Sequence, residues 1–155
     1  MMISGNHLSQ ARLIWALSGS VPAVVCDLWR RRIPNSVCAM LLGGGLLLGS
    51  MERGVQGLCS GLLGAITGFS IFLIFYLGGG MGGGDLKLMA AYGAFLGVHN
   101  VLLAALITAA AGAVLALSAV AAAALRGRRP GSIPYAPAIT FGALAVLLAH
   151  PSGGW

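Results

Sequence analysis

The chain has 155 residues, 58% of them hydrophobic and only 8% charged, where ordinary globular domains carry about 25% charged residues. With a mean hydropathy of +0.93, this composition excludes a water-soluble core. The formal charge of +6 then serves to orient the chain in a bilayer rather than to bind nucleic acid.

A spanning helix needs about 20 mostly apolar residues. Candidate stretches run over 8–25, 34–50, 55–77, 86–98, 101–125 and 137–149. The expected fold class is all-α, a polytopic integral membrane protein of about six transmembrane helices, each of bilayer-spanning order. Apolar runs leave no room for a separate soluble domain, so residues 1–155 read as one membrane-embedded domain. The first stretch carries Arg12 near its start and no small-x-small site at its end, and Val24-Val25-Cys26 lacks the small residue of a lipoprotein site; the first helix is expected to be retained.

The second and third stretches are rich in glycine, with Gly43-Gly44-Gly45 and the pairs Gly57/Gly61 and Gly64/Gly68. Small residues four apart let helix backbones approach closely in lipid. The alanines at 109–111 and 121–124 are expected to do the same for the fifth stretch. The fourth stretch, 86–98, would reach only about 20 Å at 1.5 Å per residue. It therefore begins below the bilayer surface or sits where the membrane is thinned or wet.

Cytoplasmic loops are enriched in Lys and Arg. With every candidate stretch crossing, the first, third and fifth connections share one side and hold Arg30, Arg31, Arg32, Lys87, Arg126, Arg128 and Arg129, leaving Arg12 and Arg53 opposite. The odd connections are then cytoplasmic and both termini outside. Removing the short fourth stretch would send Arg126, Arg128 and Arg129 outward, so parity favours its crossing.

This topology sorts the chain's three acids. Asp27 and Asp85 fall in the first and third connections, Glu52 in the second. No histidine joins the aspartates: His99 falls in the fourth connection, His7 before the first stretch and His150 at the outer end of the last. Ser-His-Asp and Cys-His nucleophile arrangements are thus excluded from the inner face. Cys26, Cys38 and Cys59 show no CxxC spacing and read as small buried hydrophobes. Asp27, Asp85 and Cys26 would under-ligate a metal and mix hard with soft donors, so no metal and no cofactor is expected. There remains a carboxylate pair, in which one member keeps a proton while the other is charged, enough to activate water against a peptide carbonyl.

Each aspartate also has a plain structural explanation. Asp85 follows Gly78-Gly79-Gly80-Met81-Gly82-Gly83-Gly84 and precedes an apolar helix, the position of an N-cap. That glycine run is either a flexible loop or exposed backbone on which an extended peptide docks. Asp27 precedes Arg30, Arg31 and Arg32, a pairing that at a solvated surface is worth little. Pro34 then opens the second helix early, where its missing N–H goes unfelt.

The motifs resemble a known family. The run from Asp27 through Arg30, Arg31, Arg32 and Ile33 to Pro34-Asn35 is similar to the first aspartate motif of the type IV prepilin peptidases, the GxGD aspartyl proteases of peptidase family A24. Gly82-Gly83-Gly84-Asp85-Leu86-Lys87 is similar to the second, and Ile133-Pro134-Tyr135-Ala136-Pro137-Ala138-Ile139 to a C-terminal segment. The closest match in form is the short type of tight-adherence (Flp) pilus systems. The resemblance implies a membrane-embedded aspartyl endopeptidase of the cytoplasmic (inner) membrane with Asp27 and Asp85 as the catalytic pair. It further implies prepilin or pseudopilin precursors, each a basic leader joined to an apolar helix, as substrates, and association with pilus assembly machinery. Gly82, Gly84, Lys87, Pro34, Asn35 and Tyr135 become substrate-binding or motif-supporting residues. For Lys87, snorkelling to the interface stands beside function; for Tyr135, a substrate groove stands beside a helix start. Longer family members carry an extra segment with paired cysteines and methylate the new N-terminus, and neither N-methylation nor zinc is expected here. Two other classes fit parts of the pattern: an ion- or proton-coupled transporter, given carboxylates beside Gly-rich helix breaks, and a non-catalytic scaffold of a secretion or pilus assembly.

Overall fold

Lipid offers no hydrogen-bond partners, so an apolar chain satisfies its backbone within helices. A computed structural model describes residues 5–79, 81–127 and 135–150 as all-helical. The helices are α1 (Gly5–Arg30), α2 (Asn35–Arg53), α3 (Val55–Leu77), α4 (Gly83–Leu125) and α5 (Ala136–Ala149). Three segments, Gln10–Arg30, Val55–Leu77 and Gly83–Leu125, are long and apolar enough to cross a membrane, and α5 is a shorter apolar helix.

The fourth and fifth expected helices are both present, as two helical arms of α4 that meet at Gly97. At Gly97 the backbone leaves the helical region (φ 72, ψ 177), a conformation open almost only to glycine. A Cβ built on Gly68 of α3 would lie 2.9 Å from Met89 O and 3.1 Å from Val101 Cγ2. A straight helix separates residues 89 and 101 by about 18 Å. The chain therefore doubles back, its first arm (83–96) running antiparallel to α3 and its second (98–125) parallel to it. The expected break after Val98 is corrected to Gly97, and His99 belongs to the helical second arm rather than to a loop.

The first arm is short because it is the centre of the bundle. Leu86, Leu88, Met89, Ala91, Tyr92, Ala94, Phe95 and Leu96 are all buried, and a helix apolar all round is one enclosed by others. The glycine pairs of α3 bring this about. Added Cβ atoms would strike Gly49 O from Gly57, Ala94 O from Gly61 and Gly93 O from Gly64. The alanine expectation fails: Ala109, Ala110, Ala121, Ala122 and Ala124 are exposed. The second arm packs instead through Ala104, Ala105, Thr108 and Gly112, the last two against Gly142 of α5 and Tyr135 just before it. The cysteines also divide, since Cys38 alone is buried while Cys26 is half-buried and Cys59 exposed.

At the end remote from the aspartates, Arg12 of α1 is buried and forms an ion pair of 2.8 Å with Glu52 at the end of α2. Glu52 and Arg53 lie within α2 rather than in a loop, because Gly54 alone (φ 58) separates α2 from α3. In the core, the Ser20 and Tyr92 hydroxyls hydrogen-bond across α1 and α4.

Candidate active site

α1 runs to Arg30 and α4 begins at Gly83, so both aspartates are helical residues rather than loop residues. Asp27 occupies the last turn of α1, its carbonyl accepting from the Arg31 N–H at 2.9 Å, with Arg31 in the left-handed region (φ 51) that closes the helix. Ile33 and Pro34 then turn the chain, and Pro34 is the N-cap of α2 (φ −61, ψ 134), its carbonyl accepting from the Val37 N–H at 3.1 Å. Pro34 thus lies just outside the helix rather than within its first turn.

Asp85 is likewise not an N-cap. Gly82 holds that position, and Asp85 reaches back from the third helical residue: the Gly82 N–H donates to Asp85 Oδ2 at 3.2 Å while the Asp85 N–H donates to Gly82 O at 3.1 Å. Reciprocal bonds of this kind satisfy donors that a helix start otherwise leaves open. They also fix the carboxylate. Asp85 Oδ1 is buried without a hydrogen-bond partner among the described residues, an arrangement that calls for an explanation in a native core.

Asp27 is anchored from a third direction. Its Oδ2 accepts a 3.1 Å hydrogen bond from the backbone N–H of Ala136, the first residue of α5. Both aspartates are only 7% exposed, yet both line one cavity of about 260 Å³ together with Arg31, Arg32, Ile33, Asn35, Gly82, Gly83 and Gly84.

The two motifs are locked to each other. Lys87 Nζ donates to Asn35 Oδ1 at 3.0 Å. A Cβ on Gly84 would stand 3.2 Å from the Ile33 Cβ, so the second glycine of the GxGD pattern lets the α1–α2 turn close on α4.

Of the residues expected from sequence, the cavity collects Asp27, Asp85, Gly82, Gly84 and Asn35. Lys87 and Pro34 do not line it; Lys87 bonds the cavity residue Asn35, and Pro34 precedes Asn35 in the chain. Tyr135 does not line it; as the N-cap of α5 it starts that helix, and it lines a neighbouring apolar cavity with Met81 and Phe72. Ile133, Pro134, Gly80, Arg128 and Arg129 lie outside the described residues. Sequence reasoning passed over the Ala136 N–H, for which no side chain gives a signal, and over Ile33, whose role emerges only with Gly84 beside it. Among the described residues no histidine lines the cavity, and no group of three His, Cys, Asp or Glu residues is placed to hold a metal.

Residues 14–117 match the model of the type IV leader peptidase family. The chain is similar to a protein of Bacillus subtilis (strain 168) named prepilin leader peptidase/N-methyltransferase, 33% identical over 80% of this chain and 50% of that protein. An Aeromonas hydrophila protein of the same name is 30% identical over 91% of this chain and 49% of its own length. The chain thus spans about half the length of the curated relatives it matches. No solved structure matches it.

Proposed function

The chain belongs to the type IV leader peptidase family, and we propose from that membership that it is a membrane-embedded aspartyl endopeptidase removing the leader of prepilin or pseudopilin precursors at the cytoplasmic membrane face. One observation carries the reading: Asp27 and Asp85, from helices far apart in sequence, enter one small polar cavity with Asp85 Oδ1 left unengaged.

Two carboxylates sharing a site do not both ionise readily, so one is a carboxylate while the other holds a proton. The carboxylate takes a proton from water as its oxygen attacks the scissile carbonyl carbon. The carboxylic acid hydrogen-bonds the carbonyl oxygen and then gives its proton to the leaving amine as the C–N bond breaks. The amides of Gly82 and Ala136 and the Lys87–Asn35 bond hold both acids in place through these transfers. Glycine backbone at 82–84, which lines the cavity, offers an extended peptide hydrogen-bonding groups.

The doubled-back α4 gives six helical rods, and we read each as a crossing, with the aspartate end cytoplasmic, both termini outside and the protein in the inner membrane. The arginines at the aspartate end support this orientation. The relatives' names carry two activities; the aspartate pair accounts for leader cleavage, and methyl transfer is not proposed.

The test is mass spectrometry of a pilin precursor co-expressed with the wild-type chain and with Asp27→Asn or Asp85→Asn. Each variant is expected to insert normally and to leave the leader attached. Normal leader removal by either variant would sink the proposal.

A further inference from the structure

Beside the aspartate cavity lies a second and larger one, about 480 Å³, between α3 and the second arm of α4. It is lined by apolar side chains, among them Phe72, Phe75, Leu102, Leu106 and Ala109. An apolar cavity of about 150 Å³ already takes benzene, so this one has room for several aliphatic or aromatic side chains. Phe75, Leu102 and Leu106 are also substantially exposed, so the cavity opens sideways, toward the lipid around the bundle, rather than only to water.

Its end nearest the aspartates is formed by Met81 and Tyr135. Met81 adjoins Gly82, whose N–H holds Asp85, and Tyr135 adjoins Ala136, whose N–H holds Asp27. Each of these two wall residues is thus the chain neighbour of a backbone donor that anchors one of the acids. Met81 and Tyr135 thus stand on the apolar side of the acids, and Arg31 and Arg32 line the aspartate cavity itself.

We propose that this groove is the binding site for the apolar segment of the precursor that follows the scissile bond, entering laterally from the bilayer while the leader lies on the Arg31/Arg32 side. The inference rests on the peptidase reading above and names the residues that select its substrate. An occupant of the groove must be largely apolar, because its walls carry no charged residue and, beside apolar side chains, only Thr108 and Tyr135, and must reach the aspartates without leaving the lipid. A membrane-inserted segment joined to a polar leader meets both conditions. Cleavage would then fall at the boundary between polar and apolar sequence, because the wall chemistry changes at Met81 and Tyr135.

Ala109→Phe tests this. Ala109 lines the groove yet is exposed, so a phenyl ring there fills space without disturbing the core. Losing burial of one apolar side chain of the precursor is expected to raise KM by about tenfold or more, with kcat little changed. A photo-crosslinker at Leu106 in the Asp85→Asn background, which keeps the precursor uncut, is expected to capture residues just after the leader junction. Unchanged KM in Ala109→Phe, or crosslinks to lipid alone or to the leader, would overturn the groove assignment while leaving the peptidase reading intact. That reading instead stands or falls on leader removal by Asp85→Asn itself.

Discussion

Lys87 Nζ donates a 3.0 Å hydrogen bond to Asn35 Oδ1 across 52 positions of sequence. This bond, with Ile33 packed on Gly84, ties the motif that ends α1 to the motif that begins α4, and so sets where Asp27 stands relative to Asp85.

Loss of this tie should slow the reaction without removing either acid. Lys87→Met and Asn35→Ala are each expected to lower kcat by about ten- to a hundredfold, the scale of a small misplacement of catalytic groups. The double variant should be little worse than either single one, because both remove the same bond. Initial rates of precursor cleavage in reconstituted membranes read this out; additive losses would show that Lys87 acts by some other route, such as snorkelling.

Close backbone approach makes a second expectation. A Cβ on Gly64 would come within 2.2 Å of Gly93 O, and one on Gly93 equally near Gly64 O. Neither backbone can yield independently. Gly64→Ala and Gly93→Ala are expected to destabilise the bundle by about 1–3 kcal/mol, the usual range for forced overpacking. Gly43→Ala, where an added Cβ meets nothing within 4 Å, should be neutral. Thermal unfolding in detergent compares the three.

How legible the molecule was depends on what each residue signals locally. Asp27 and Asp85 stood out because charge is rare in so apolar a chain, and the glycine pairs of α3 because small residues four apart have a packing meaning in lipid. The α4 reversal is legible as a break but misplaced, since the polar pair His99-Asn100 draws it two residues on, whereas only the backbone conformation of Gly97 marks the turn. The alanines at 121–124 misled because composition alone does not tell a packed helix face from an unpartnered one. The bond from Ala136 N–H to Asp27 joins residues 109 apart through a backbone donor, and no side-chain pattern encodes it. Asp85 was read as a cap of α4; it is a capping residue in fact, but from inside the helix, with Gly82 in the place it was assigned.

The pair of buried Arg12 and half-buried Glu52 carries an asymmetric expectation. Removing either member takes the countercharge from the other and is expected to destabilise the bundle, by less than the about 3–5 kcal/mol of a fully buried pair. Replacing both with apolar residues of similar size should cost much less. Arg12→Met, Glu52→Met and the double variant, compared by unfolding in detergent, form the cycle. A double variant worse than both single ones would mean that the pair contributes net stability rather than satisfying two otherwise stranded charges.

Gly97 should be the most sensitive of the glycines, because two separate requirements meet there. Its backbone (φ 72, ψ 177) lies in a region where a side chain costs about 1–3 kcal/mol. Its Cα also packs at the point where an added Cβ on Gly64 would fall 2.8 Å away, so the turn cannot relax by moving toward α3. Gly97→Ala is therefore expected to lose more stability than Gly79→Ala, which has a similar φ of 73 but open space around it. The consequence for activity follows from the path of the chain. The first arm of α4 carries Asp85 and the second carries the groove wall at Leu102, Leu106 and Ala109, so a displaced turn shifts one against the other. Gly97→Ala should thus raise KM and lower kcat together in those molecules that remain folded, whereas a purely local backbone strain would reduce the folded fraction and leave the kinetic constants of the survivors unchanged.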